Sequence, residues 1–151
     1  MPADTPAPAL PATFRPTRTR VVLLGIGAVM FAVLTTVGLM LEGLGAGERV
    51  SFILTGALFC AVLAVLARPH VKADAHGVTV VNLTRTRRLE WAEVLGVHLR
   101  SGDPWVFLDL TDGTSLPVLG IQPGIARDHA VRDAAALRSL TEHHGTGPAG
   151  H

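Results

Sequence analysis

The sequence has little of what catalysis, metal binding or disulfide formation requires. Its single cysteine, Cys60, lies in an apolar run, so no internal disulfide can form and a cysteine-based metal site is implausible. It contains no G-x-S-x-G, H-E-x-x-H or C-x-x-C motif and no phosphate-binding glycine loop. No two of the seven histidines are four residues apart, which favours surface histidines over metal ligands. We therefore expect a protein that is not an enzyme and holds no cofactor and no metal.

Positive charge is also too sparse for a protein that binds nucleic acid. Residues 68–151 carry nine Lys and Arg against nine Asp and Glu, and the formal net charge of the whole chain is +1. Phosphate neutralisation dominates affinity for nucleic acids, so a domain without excess positive charge is a poor candidate for binding them. The hydrophobic fraction of 48% instead indicates a membrane protein.

Two long runs without a charged residue predict membrane-spanning helices. The first, residues 21–41, would form a helix about 31 Å long, and the second, residues 50–67, is near the lower limit of length. The segment between them, "EGLGAGER", is so short that the helices must form an antiparallel hairpin. Basic residues flank the pair, whereas the loop has only Arg49; the flanking residues are Arg15, Arg18, Arg20, Arg68 and Lys72. The positive-inside rule then predicts a plasma (inner) membrane protein with both termini in the cytoplasm.

Small residues recur at helical spacing in both predicted spans. They are Ala28, Ala32 and Thr36 in the first span and Gly56, Cys60 and Ala64 in the second. Such residues allow two membrane helices to pack closely, although Ala and Gly are also common in membrane helices for no special reason. Neither span contains a charge, so the hairpin offers no pathway for ions or protons.

The rest of the chain divides into tails and one folded domain. Residues 1–20 include five prolines in "PADTPAPALPATFRP" and are predicted to be a disordered tail, and residues 144–151 a flexible one. Residues 68–143 alternate apolar and polar side chains, which predicts strands in "VKADAHG", "GVTVVNL", "RRLEW", "LGVHLR", "WVFLDL" and "TSLPVL".

Three further signals refine the predicted domain. Asp112-Gly113 favours a two-residue hairpin turn in which both residues have positive φ. Pro117 predicts an edge strand or a bulge, because proline cannot donate to a sheet. A final helix is predicted from residue 125 to about residue 143, and its apolar stripe is Ala126, Ala130, Ala134, Leu137 and Leu140.

These pieces together resemble the pleckstrin-homology (PH)-like domain of actinobacterial membrane proteins of the low molecular weight protein antigen 6 group. The resemblance is carried by "RPHVKADAHGVTVVN", "RRLEWAEVLGV", "WVFLDLTDGTSLPVLGIQ" and "AVRDAAALRSL", and it extends over roughly residues 18–142. It implies an α+β fold in which a bent antiparallel sheet, or partial barrel, follows two transmembrane helices and is capped by a C-terminal helix. It also implies structural roles for Trp91, which would anchor a turn in the core, and for Trp105. A PH fold has seven strands, one more than the pattern predicts.

The resemblance also draws attention to the arginines of "TRTRR". Eukaryotic relatives of the family often bind phosphoinositides through basic residues near the loop that joins the first two strands. That loop is read here as "DAHG", which has no Lys or Arg, so the pattern does not carry over. Arg85, Arg87 and Arg88 come one turn later, and Glu90 and Glu93 close behind could balance them. The arginines therefore belong to a solvated turn, to a contact with anionic lipid headgroups or to a contact with a protein partner.

We expect the protein to display this domain at the inner membrane face, where it recruits or regulates a protein partner of unknown identity. One alternative is a sensor of anionic lipid headgroups that uses the three arginines. Another is an accessory subunit of a membrane enzyme or transporter, which would act through the small residues of the spans.

Overall fold

The computed structural model describes residues 6–124 and 126–145 and divides the chain into two units. One unit is Thr17–Arg68, and the other combines the chain before residue 17 with the chain from residue 69 onward. The second unit contains seven strands in two open antiparallel sheets and a final helix, so the expected PH-like α+β fold is confirmed.

The helical unit consists of α1, Thr17–Met40, and α2, Ala46–Leu66. Each helix is long and apolar enough to cross a membrane, with mean hydropathy of 2.4 and 2.2 respectively. The first helix begins four residues before the predicted span, because residues 17–20 are also helical. The second begins at Ala46, where the Glu48 carboxylate accepts a hydrogen bond from the N–H of Gly45 at 2.8 Å.

Glycines rather than alanines let the two helices approach each other. A Cβ added to Gly27 would lie 3.5 Å from Cys60 Cα, and one added to Gly56 would lie 3.3 Å from Phe31 Cα. A Cβ on Gly38 would lie 2.8 Å from Phe52 Cβ, so this position requires glycine. As the residue numbers of these contacts increase along α1, those of their partners decrease along α2, as an antiparallel hairpin requires.

The predicted packing residues are therefore only partly right. Gly56 and Cys60 lie between the helices, whereas Ala28, Ala32, Thr36 and Ala64 are exposed. The prediction was wrong for these four because small residues four apart recur on more than one side of the helix. Only the position of the partner helix selects between those sides.

The first sheet has the strand order β1-β2-β3-β4, and its residue ranges are Ala12–Phe14, His70–Asp74, Gly77–Val81 and Thr86–Glu90. β1 pairs antiparallel with β2, so that Ala12 lies opposite Ala73 and Phe14 opposite Val71. β1 is the seventh strand that the sequence pattern did not predict.

Residues 12–14 correct the expectation of a disordered tail over residues 1–20. Phe14 is 7% exposed and joins the hydrophobic core, and residues 17–20 already belong to α1. The loop between the first two strands is consequently residues 15–69, which contains both helices, and the "DAHG" loop joins β2 to β3 instead. The domain therefore holds its candidate membrane hairpin as an insertion between two paired strands.

The second sheet has the order β5-β6-β7, and its strands are Val94–His98, Val106–Leu110 and Ser115–Val118. The turn between β6 and β7 differs from the predicted two-residue hairpin. Gly113 has φ of 82°, but Asp112 does not have positive φ, and Leu110 N–H bonds Thr114 O at 2.9 Å across a three-residue loop. A type I turn followed by a left-handed glycine fits this pattern, so the dipeptide predicted the turn but not its type. Pro117 lies in β7, which is an edge strand, as the proline predicts.

The core lies between the two sheets and α3, Arg127–Gly145. The helix begins two residues after its predicted start and extends two residues beyond its predicted end, so residues 144 and 145 are helical. Four of the five stripe residues are buried, and Ala126 precedes the helix. Residues 146–151 of the predicted flexible tail lie outside the described residues. The strands contribute buried side chains to the core, which include Val71, Val78, Val80, Leu89, Val97, Val106, Leu108 and Val118.

Candidate functional site

The three arginines of "TRTRR" lie at and just before β4, the last strand of the first sheet. Consecutive side chains of a strand point to opposite faces, so Arg87 and Arg88 have different partners. Arg88 pairs with Asp74, with Nη2 3.0 Å from Oδ2, and Arg87 lies near Asp112, with Nη2 3.7 Å from Oδ2. Among the described residues, the Arg85 side chain has no ion-pair or hydrogen-bond partner.

The charge balance at these arginines differs from the one expected. Glu90 and Glu93 could have balanced them, but the Glu93 carboxylate instead accepts the N–H of Glu90 at 2.7 Å. The balancing carboxylates are Asp74, the last residue of β2, and Asp112, in the turn after β6. Both ion pairs are more than one-third exposed, so water screens them and they hold the side chains in place only weakly.

Asp74 is more tightly held than its partner. The N–H groups of His76 and Gly77 donate to its Oδ1 at 2.9 and 3.1 Å, and its own carbonyl accepts the indole N–H of Trp91 at 2.9 Å. The His76 bond is the main cause that holds the pKa of Asp74 below its ordinary value, and Arg88 adds to the effect. The Asp74 carboxylate therefore stays charged at neutral pH, which keeps one arginine of the three partly neutralised.

Trp91 anchors the turn that follows β4. Its side chain is 4% exposed, and its ring stacks on the His144 ring of α3 with centroids 5.2 Å apart. The tryptophan thus contacts both the first sheet, through Asp74, and the C-terminal helix. Trp105 precedes β6 and is half-buried, with its ring centroid 6.5 Å from that of Phe107.

A second polar cluster lies on the outer face of the second sheet. Asp109 accepts a hydrogen bond from the Ser115 hydroxyl at 2.7 Å and also contacts Nε2 of His98. The Ser115 bond is the main cause that lowers the pKa of Asp109. The residues border a shallow cavity of about 340 Å³ that also contacts Arg100 and Phe107.

This cluster contains the residue types of a serine-nucleophile relay in the wrong arrangement. In such a relay, the imidazole lies between the hydroxyl and the carboxylate and takes the hydroxyl proton. Here the carboxylate lies between the imidazole and the hydroxyl, so the Ser115 proton is directed to an acid that stays ionised. Within residues 6–124 and 126–145, no group of three His, Cys, Asp or Glu side chains could hold a metal ion.

Two side chains that the sequence did not single out connect separate elements of the domain. The Asn82 amide donates to Pro117 O at 2.9 Å and accepts from Leu119 N–H at 3.1 Å, which joins the end of β3 to the end of β7. Arg138 of α3 donates to Val97 O at 3.0 and 3.3 Å, so it covers the outer edge of β5. The signal for Asn82 was available, since an amide continues the alternating strand "GVTVVNL" where an apolar residue is expected.

Residues 68–140 match the family described as Bacterial PH domain, and this finding confirms the resemblance. The chain is also similar to uncharacterised proteins of Mycobacterium bovis and Mycobacterium tuberculosis, each 32% identical over 93 residues. These residues are 62% of this chain, and the match spans 60% of the length of each relative. No solved structure matches the chain. The matched family region begins after β1 and the helical unit.

Proposed function

Because residues 68–140 belong to the bacterial PH domain family, we propose that the protein is a membrane-anchored binding module without catalytic activity. The two helices anchor it in the plasma membrane, and the PH-like domain faces the cytoplasm. There it recruits or regulates a protein partner at the membrane surface.

The insertion of the helical unit between β1 and β2 is the observation that carries this proposal. Two residues connect β1 to α1, and three connect α2 to β2. A domain with such short connections to two membrane spans stays at the membrane surface, where a recruiting module acts. The start of α1 and the end of α2 are connected to β1 and β2, which are hydrogen-bonded to each other. Both connections therefore leave the membrane on one side.

Cysteine accessibility tests the proposed placement. In a Cys60→Ser background, a single cysteine is introduced either at Glu42, in the connection between the helices, or at Ser101, between β5 and β6; both positions are exposed. A membrane-impermeant maleimide should label the Glu42→Cys variant in intact cells and the Ser101→Cys variant only after permeabilisation. The reverse pattern would place the domain outside the cell and refute the proposal.

Recruitment itself is tested by proximity labelling and crosslinking in intact membranes. The wild type is compared with a chain that keeps its helices but lacks β2 to α3. A discrete set of proteins that requires the domain supports recruitment. Identical sets for the two chains would show that the domain recruits nothing.

The exposed small residues of α1 favour a second candidate function, an accessory subunit of a membrane enzyme or transporter. Ala28, Ala32 and Thr36 lie on the exposed part of α1, where a further helix could pack closely. Replacing both helices by an unrelated hairpin separates the candidates. A recruiting module should keep its partners after the exchange, whereas an accessory subunit should lose them.

A further inference from the structure

We propose that the free edge of β4 accepts an extended acidic segment of a partner protein as an additional antiparallel strand. The proposal rests on the proposed recruiting function and names the surface and the chemistry by which a partner is held. It makes the backbone of β4 the source of affinity and the arginines the source of selectivity.

β4 has a free edge on the side away from β3. It is the last strand in the order β1-β2-β3-β4, and β3 pairs with it on one side only. Four of its five side chains are exposed, and Leu89 alone is buried. A five-residue strand is long enough to offer backbone groups to an incoming chain.

The hydrogen-bond pattern identifies which backbone groups are free. Asn82 N–H donates to Arg85 O at 2.8 Å, so this pair closes the β3–β4 hairpin as a hydrogen-bonded pair. Hydrogen-bonded and non-hydrogen-bonded pairs alternate in an antiparallel ladder. Arg87 and Leu89 therefore bond to β3, and the N–H and C=O groups of Thr86 and Arg88 point away from it. Glu90 N–H also points outward by this rule, and its bond to the Glu93 carboxylate agrees with that direction.

Within the described parts of the chain, the other three sheet edges are less suited to a new strand. β1 is three residues long, and β7 contains Pro117, whose carbonyl already accepts the Asn82 amide. The outward carbonyl of Val97 on β5 accepts both Arg138 donors. Proteins commonly protect sheet edges by such means, whereas the outward backbone groups of Thr86 and Arg88 on β4 are protected by charge alone.

Charge determines what can pair with β4. Arg85, Arg87 and Arg88 repel a basic strand. An apolar strand is also disfavoured, because its side chains would remove the arginine charges from water without replacing those contacts. A second copy of the chain, paired antiparallel about Arg88, would place the two Arg88 side chains opposite each other, which is unfavourable. An acidic segment instead meets one arginine without a partner and two whose carboxylates, Asp74 and Asp112, lie outside β4.

Backbone protection in a defined complex tests the proposal. The full-length protein is placed in nanodiscs of zwitterionic lipid, and a peptide of alternating valine and glutamate is added at millimolar concentration. We expect the amide hydrogens of Thr86 and Arg88 to exchange at least about tenfold more slowly, because a new strand protects them. A peptide of alternating valine and lysine should have no effect.

Two variants distinguish strand pairing from simple charge attraction. Thr86→Pro removes an outward N–H that β3 does not use, so the sheet should persist and protection at Arg88 should be lost. Thr86→Ala keeps the N–H and serves as its matched control, with protection at Arg88 retained. If Thr86→Pro binds the acidic peptide as well as Thr86→Ala does, charge alone holds the peptide and the strand proposal fails.

The remaining outcomes also decide the question. No protection of Thr86 and Arg88 by the acidic peptide would overturn the proposal. Protection that appears without peptide in nanodiscs of anionic lipid, and not with peptide in zwitterionic lipid, would assign the arginines to headgroups instead. Neither result affects the labelling of Glu42→Cys and Ser101→Cys or the domain-dependent crosslinking. Those experiments therefore test the recruiting function independently of the strand proposal.

Discussion

Phe14→Ala should destabilise the PH-like domain although Phe14 lies 54 residues before residue 68, where the family-matched region begins. Phe14 is 7% exposed and belongs to the same hydrophobic core as Val71, its neighbour across the β1–β2 pair. If residues 1–20 were the disordered tail that their prolines suggest, the same substitution would have no effect. The variant therefore tests whether β1 is part of the domain.

The expected magnitude follows from the burial of the ring. Replacement of a buried Phe by Ala costs about 3–5 kcal/mol, because apolar area is lost and a cavity remains. β1 is a three-residue edge strand and can partly relax into the space, so the lower end, about 3 kcal/mol, is expected. For a domain of this size, such a loss lowers the melting temperature by roughly 12–24 °C.

Tryptophan fluorescence measures the effect in the full-length protein. Both tryptophans, Trp91 and Trp105, belong to the PH-like unit, so their emission reports its unfolding while the helices remain in a nanodisc. Phe59→Ala is the matched control, because Phe59 lies on α2 and is 51% exposed. A Phe14→Ala unfolding curve that coincides with the wild-type and Phe59→Ala curves would show that β1 does not stabilise the domain.

Other substitutions test the connections between the strands, with the same fluorescence readout. Asn82→Ala should lower the free energy of unfolding by about 1–3 kcal/mol, because it leaves a half-buried N–H and carbonyl at the end of β7 unpaired. Asn82→Asp should recover part of the loss. Equal stability of wild type and Asn82→Ala would contradict the proposed link between β3 and β7. Gly77→Ala should be more damaging, since its Cβ would lie in a forbidden contact with the carbonyl oxygen of Leu89 and force β3 from β4; a variant as stable as wild type would refute this pairing. The folded-state pKa of Asp109 is lowered, mainly by Ser115, so its stabilisation is present above the unfolded pKa and is lost as the pH falls through the folded pKa. Below about pH 4, stability should therefore fall less steeply in Asp109→Asn than in wild type, and parallel pH profiles would show that this carboxylate is not involved.

The six strands from residue 70 onward could be predicted because each carries its signal locally. A sheet with one face against a core favours alternation of apolar and polar residues along a strand, most clearly in Val106–Leu110. β1 has only three residues, and it lies between Pro11 and Pro16. It forms a strand because it pairs with β2, which lies far along the chain. No local sequence pattern predicts that pairing.

The arginines illustrate the same limit at the candidate site. Their position next to Trp91 could be predicted, and so could their exposure. Their partners could not, because consecutive strand residues point to opposite faces and meet different loops. Arg87 reaches toward Asp112 and Arg88 toward Asp74, whereas the nearer carboxylate of Glu93 bonds to a backbone N–H.

The place of the helical insertion has a simple geometric explanation. Neighbouring antiparallel strands bring the end of one and the start of the next to within about 5 Å, and packed helices of a hairpin are about 8–10 Å apart. The connections of two and three residues can span this difference. The β1–β2 junction can therefore accept an antiparallel hairpin without distortion of the Phe14–Val71 pairing. Conversely, a fragment that begins at residue 68 would lack β1 and would expose the edge of β2, which includes the fully buried Val71. An exposed apolar edge invites pairing with other chains, so the segment before the helices completes the domain that follows them.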